Sequence, residues 1–297
     1  MPWRAFLVFG FLLASAIAGP VQGQAPPVRS LGEILEQSPA SDWRPVDPVN
    51  MLYIQLPGGR VIVELAPEYA PHHVANIRAL AQAHYWDGAA IVRSQDNYVV
   101  QWGRDEGDTT PMGRGVASLA GEFDRPRRGV QVTRLWDPDS YAGEVGFANG
   151  FPVAANWGRT WLAHCYGMVG AGRGDTADSG SGAELYVVIG QAPRHLDRNV
   201  TLVGRVLEGM EILSVMPRGT GALGFYESPT ERTIIRSVRL ASDLPESERV
   251  NLETLRTDSE TFRAVIDSRR TRRESWFLQP TGRINVCNVP LPVRARS

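Results

Sequence analysis

The sequence predicts a mainly β fold with two helices packed on it and an α/β extension at the C-terminal end. Three observations point that way. Short runs of β-branched and aromatic residues outnumber helical patterns through the middle of the chain. The first two runs, MLYIQL and RVIVEL, are joined by Pro57-Gly58-Gly59, a strong hairpin signal. After Asp243 the chain changes character and becomes charged and helix-like. At 297 residues, 43% of them apolar, it can bury one large core or two modest ones.

At the N-terminus, Arg4 precedes an apolar run, Ala5–Ala18, and small residues follow. This reads as a secretory signal peptide over 1–23, cleaved after Ala18 or Gly23. The run is shorter than the ~20 residues a membrane-spanning helix needs. Residues 24–49, rich in Pro, Ser and Asp, read as a linker or arm. The main domain covers 50–243, with structure from Met51. After the first hairpin, Pro71 suits a first helical turn, and Val74, Ile77, Leu80 and Ala81 form one apolar face, with Asp87-Gly88 turning the chain. AAIVR and NYVVQW follow as strands. Residues 104–167 carry many Gly, Asp, Arg and Pro residues and read as long loops with short strands. Strand signals return at GAELYVVIG and NVTLVGRV, then a short helix, LEGMEILSVM, and a strand, RTIIRSVRL. In the extension, 244–297, residues 244–273 read as helical with Leu252, Leu255, Phe262, Val265 and Ile266 buried. WFLQPTGRINVCNVPLPV reads as a strand pair turning at Pro280-Thr281-Gly282.

Composition excludes several functions. The net charge of −1 gives no global attraction to nucleic acid or membrane. All 31 basic residues are arginines, so Schiff-base chemistry and a phosphate-loop lysine are absent. Cys165 and Cys287 are the two cysteines. In an exported protein they form a disulfide or remain two buried thiols, and spacing alone does not decide.

The chemistry-bearing stretch is AIVRSQDNYVVQWG, Ala90–Gly103. It sets Arg93 near the end of one strand, Tyr98 five residues on, and Gln101 and Gly103 on the next strand. This spacing resembles the cyclophilin pattern F-H-R-V-I-x-x-F-M-x-Q-x-G. NVTLVGRVLEGMEILSVM resembles the family's V-F-G-x-V-x-x-G-M segment at Gly204, Gly209 and Met210. ELYVVI stands where the family has Q-F-F-I, and His195–Asp197 where it has W-L-D. The resemblance runs from about Met51 to Leu240, with an insertion at about 126–166.

It implies a closed eight-stranded antiparallel barrel capped by two helices, and peptidyl-prolyl cis/trans isomerase activity without a cofactor or metal. Arg93 and Gln101 would be catalytic. Tyr98, Val99, Tyr186 and Leu196 would line the proline pocket, with backbone contacts near Val169 and Gly170, and Glu184 and His195 at its edge. Several positions depart from the family. Val92 replaces a histidine, and Val200 stands where some members have one. Tyr98 and Tyr186 replace phenylalanines and add hydroxyls to a dry pocket. Glu184 replaces a glutamine and is expected to compete for Arg93. His195 stands where many members have tryptophan.

Other motifs read as structural. The glycine-rich loop from Gly170 lacks a lysine and a following helix. His72 and His73 are adjacent on a helix and do not share a face. His164 and Cys165 lack identifiable partner ligands. Asp137–Glu144 reads as a turn, and Arg269, Arg270, Arg272 and Arg273 as a solvated helix end. The expected function is an isomerase for proline-containing polypeptides that fold after export, periplasmic or secreted, with no nucleic-acid partner and no membrane span after signal cleavage. The alternative is a non-catalytic chaperone or adaptor binding proline-bearing segments.

Overall fold

The computed structural model describes Met1 and residues 29–296. The signal peptide, its cleavage site and the start of the expected linker lie outside the described residues. In chain order, α1 (Leu31–Glu36) and β1 (Trp43–Pro45) come first. Then come β2 (Met51–Leu56), β3 (Gly59–Leu65), α2 (Pro71–Gln82), β4 (Ala90–Ser94) and β5 (Val99–Gly103). The insertion holds β6 (Arg125–Pro126), β7 (Thr133–Leu135), β8 (Glu144–Ala148), β9 (Phe151–Asn156) and β10 (Arg159–Leu162). β11 (Met168–Ala171), β12 (Leu185–Val188), β13 (Leu202–Glu208), α3 (Met210–Ser214), β14 (Thr233–Ile234) and β15 (Ser237–Leu240) follow. The extension adds β16 (Leu252–Leu255), α4 (Glu260–Thr271) and β17 (Val293–Ala295).

The main sheet runs β14-β4-β5-β12-β11-β13-β3-β2-β15. Its outer segments, β14 and β15, are two halves of one bent strand. Between them the Ile235 N–H donates to Ala89 O, continuing the β4 edge, and the Arg236 N–H donates to Gln55 O, continuing the β2 edge. Counted once, this strand closes the expected eight-stranded barrel and removes both sheet edges. The barrel core holds Ile54, Val63, Ile91, Trp102, Val187 and Val203, capped by α2 through Val74, Ile77, Leu80 and Ala81. α2 ends at Gln82, ahead of the turn at Asp87-Gly88.

Outside the barrel, three expectations are narrowed or changed. Of the two readings of 24–49, linker or arm, the described part is an ordered arm from α1 onward. Ser30 and Glu33 form a reciprocal capping box, and Ile34 and Trp43 are buried. The insertion, expected as long loops with short strands, has its strands joined in a five-stranded antiparallel sheet, β6-β10-β9-β8-β7. Its hairpins turn on Asn149-Gly150 and Trp157-Gly158, with positive φ at both central residues of each, as two-residue hairpins require. In the extension, Leu252 and Leu255 lie on strand β16 and only 260–271 is helical. The strand pair expected around Pro280 is not formed; β16 pairs instead with β1 and β17.

Arm, insertion and extension share a second core of Ile34, Trp43, Phe147, Trp161, Phe262 and Val265, which continues into the barrel through Met168 and Leu202. A disulfide joins Cys165, at the end of the insertion, to Cys287 in the extension. Most of the basic run at the end of α4 is ion-paired, Arg269 to Glu274, Arg270 to Asp137 and Arg273 to Asp267. No helix among the described residues is long and apolar enough to cross a membrane.

Candidate active site

Strand register assembles the site. Arg93 stands opposite Gln101 across β4 and β5, Gln101 opposite Tyr186 across β5 and β12, and Tyr186 opposite Gly170 across β12 and β11. Opposed residues project from the same face, so these four form one row across the sheet. Their neighbours Val100, Val169 and Val187 point into the barrel core, so the row faces outward. Gly170 has a steric reason to be glycine: a Cβ there would lie 2.2 Å from Cζ of Tyr186, whose ring rests over its backbone.

Arg93 is held from three sides. Its Nε donates to the Leu223 carbonyl at 2.7 Å, one terminal nitrogen donates to Gln101 Oε1 at 3.1 Å, and the other donates to Gln95 Oε1. The guanidinium also lies over the rings of Tyr98 and Phe225, 5.4 and 5.1 Å from their centroids. Three of its five N–H groups are thereby engaged and two remain to donate. Burial draws its pKa below the usual arginine value, opposed by Tyr98 and Glu184. An arginine nonetheless stays charged throughout the working pH range.

Beside it lies a cavity of about 270 Å³. Arg93 and Gln101 form its polar side, and Tyr98, Val99, Tyr186, Leu196 and Val200 its apolar side. Val99, Tyr186 and Val188 form a small outer cluster with Tyr98 and Val200, separate from the barrel core. The third wall falls at Gly172 and Arg173, just beyond the expected Val169–Gly170. Val169 points into the barrel, and β11 is paired on both sides. His195 is outside the lining, exposed, with its ring parallel to Tyr98 at 6.4 Å.

Two departures from the family behave differently from expectation. Glu184 makes no ion pair with Arg93; its Oε1 accepts from Gln101 Nε2. Gln101 stands between them, so the carboxylate fixes which end of the amide faces the arginine. Glu184→Leu is therefore predicted to lower activity more than Glu184→Gln, whose amide oxygen still accepts from Gln101. Equal rates in an isomerisation assay would show that the orientation of Gln101 does not matter. The Tyr186 hydroxyl does not open into the cavity. It meets His164 Nε2 at 3.0 Å, and His164 Nδ1 meets Asp197 Oδ1 at 2.9 Å.

Sequence reasoning missed Gln95, Leu223, Phe225, Arg173 and His164 as parts of this site. Leu223 contributes a carbonyl, which any residue offers. A larger cavity of about 660 Å³ lies between insertion and extension. Four of its five guanidiniums are bonded to carboxylates: Arg44 to Glu64, Arg256 to Asp258, Arg263 to Glu260 and Arg270 to Asp137. It is a salt-bridged seam without convergent chemistry.

The model of the cyclophilin type peptidyl-prolyl cis-trans isomerase/CLD family matches residues 51–240. The chain belongs to this family. The chain is 24% identical over 176 residues to a probable peptidyl-prolyl cis-trans isomerase of Brucella suis biovar 1, covering 59% of this chain and 76% of that one. It is 30% identical over 158 residues to a peptidyl-prolyl cis-trans isomerase-like 2 of Gibberella zeae, covering 53% of this chain and 21% of that one. The crystal structure of the cyclophilin AquaCyp293 from Hirschia baltica superposes with a TM-score of 0.70 at 25% identity. That likeness covers 86% of this chain and 94% of the other, more than the barrel alone.

Buried acids set the acid limit of the fold. Burial alone would raise the carboxyls of Asp197, Asp137 and Glu122. Bonds from His164 and Arg194, from Arg270 and the Ile284 N–H, and from His73 and the His72 N–H instead hold them below the usual carboxylate value. Burial lowers His164 below its usual value despite Asp197. All four groups bind protons more readily when unfolded, so each favours the native state above its unfolded pKa and loses that contribution as pH falls. Stability is predicted to decline first below about pH 6.5, as His164 must stay neutral, and further below about pH 4. Melting temperatures from pH 8 to 3 check this; a profile flat down to about pH 4 would remove the histidine contribution.

Proposed function

We propose that Arg93 stabilises the twisted prolyl amide of a polypeptide bound in this cavity, and that the clients are proteins that fold after export. Rotation about an X–Pro bond breaks amide resonance against a barrier of ~18–20 kcal/mol. In the twisted state the prolyl nitrogen becomes pyramidal and gains a lone pair. A fixed cation with free N–H groups favours that state over either planar isomer. The observation that carries the reading is the guanidinium held by three acceptors beside an apolar wall, with two N–H groups to spare. No nucleophile, metal or cofactor is required by this chemistry.

The export reading rests on the charged start, short apolar run and small-residue exit of the first 23 residues, and on the disulfide between Cys165 and Cys287. A periplasmic or secreted location follows. N-terminal sequencing of the mature protein is expected to find a start between Ala18 and Gln24, and an intact Met1 on a cytoplasmic product would refute it. A protease-coupled isomerisation assay on the mature protein tests the activity. Binding of proline-containing peptides without turnover would favour the adaptor reading instead.

A further inference from the structure

Beneath the cavity lies a buried polar chain that isomerisation by Arg93 does not require. His164 and Asp197 are almost wholly buried, with side-chain exposures of 1% and 6%. Asp197 accepts from the His164 ring, the His164 N–H, Trp161 Nε1 at 3.0 Å and Arg194 Nε at 2.6 Å. Arg194 in turn pairs with Asp139 at 2.9 Å. Trp161 and Asp139 belong to the insertion, and His164 lies just past its last strand.

The proton positions in this chain follow from its acceptors. An ionised Asp197 only accepts, so His164 carries its hydrogen on Nδ1. Burial keeps the ring neutral, which leaves Nε2 as an acceptor, and the Tyr186 hydroxyl donates to it. Burial also raises the Tyr186 phenol well above its usual value, so this donor keeps its proton. The tip of the Tyr186 ring lies against Gly170 and His164, neither of which lines the cavity. Leu196, which does line it, is bonded in sequence to Asp197.

We propose that His164 and Asp197 are positioning residues for the isomerase pocket, holding the Tyr186 hydroxyl behind the floor so that only the apolar ring meets the proline. The insertion then has a task in this enzyme: it supplies His164 and Trp161, which orient Asp197 together with Arg194 of the barrel. The proposal rests on the cavity being the isomerase site. Without His164 the hydroxyl loses its acceptor and must remain unpaired or turn into the cavity, where it draws in water and obstructs the ring of the substrate.

A double-mutant cycle in the full mature chain tests this. His164→Leu is expected to lower kcat/KM about tenfold when Tyr186 is present, but by under about threefold on a Tyr186→Phe background, where no hydroxyl needs an acceptor. The same loss on both backgrounds would show that His164 acts only through packing and would overturn the proposal, as would no loss at all. His164→Gln, which keeps an acceptor, is expected to retain more activity than His164→Leu. If leucine is not tolerated in the fold, alanine carries the test: it also removes the acceptor, and either an equal loss on both backgrounds or no loss at all overturns the proposal. Arg93→Ala, assayed alongside, separates the two readings. Full activity in Arg93→Ala removes the cavity assignment, whereas a loss there with none in His164→Leu removes this inference alone.

Discussion

Arg93→Ala is expected to lower kcat/KM for prolyl isomerisation by a factor of ~10²–10³, the cost of deleting one preorganised transition-state donor elsewhere. The substitution removes the cation facing the cavity and deprives the Leu223 carbonyl and the Gln95 and Gln101 amide oxygens of a donor. Leu223 is exposed and Gln95 half-buried, and the buried Gln101 keeps its bond to Glu184, so melting temperature should move by only about a few degrees. Arg93→Lys is expected to recover little. An ammonium is a point donor, and it cannot satisfy Leu223, Gln95 and Gln101 and still present two N–H groups to the substrate. Wild-type rates in Arg93→Ala would remove the mechanism.

Breaking the disulfide should have the largest effect on stability. Cys165 and Cys287 are 122 residues apart in sequence. By the chain-entropy argument, closing a loop of that size contributes on the order of 4–5 kcal/mol. The segment it secures has few other regular bonds, because from the end of α4 to β17 the extension contains one short 3-10 turn and no strand. Cys165→Ser with Cys287→Ser is predicted to lower the melting temperature by roughly 10–20 °C. Reductant should do the same to the parent and nothing to the double variant. A drop under about 2 °C would mean that the second core holds the extension unaided.

Legibility in the sequence followed contact range. The β2–β3 hairpin, the buried face of α2 and the Arg93–Gln101 pairing all rest on contacts within a few turns of chain, where periodicity and turn chemistry act. The second core was illegible because it brings together Trp43, Phe147 and Phe262 from three remote segments, none of which buries its apolar side alone. From sequence the arm is therefore indistinguishable from a linker, and β16 reads as part of a helix. The insertion is a different case. Asn149-Gly150 is a hairpin signal in its own right, but the flanking runs EVGFA and FPVAAN are interrupted by Gly and Pro and hid their strand character. At the candidate site, the arginine, the glutamine and most of the apolar residues named by the family pattern line one cavity. The acceptors that orient them could not be read. Leu223 offers only its backbone, and the meeting of His164 with Tyr186 depends on how the insertion returns to β11.

The closing strand, Thr233–Leu240, has a consequence for how the molecule is made. Its first half completes the β4 edge and its second half the β2 edge, so the first barrel strand waits for the last. A ribosome or a translocation channel delivers the chain from the N-terminus, and until residue 240 emerges the nascent sheet keeps two raw borders. Such non-local closure is slow relative to local hairpin formation, and unpaired strand borders invite pairing with other chains. A chain of the prolyl isomerase family thus begins its own existence with borders that need protection until its last barrel strand arrives.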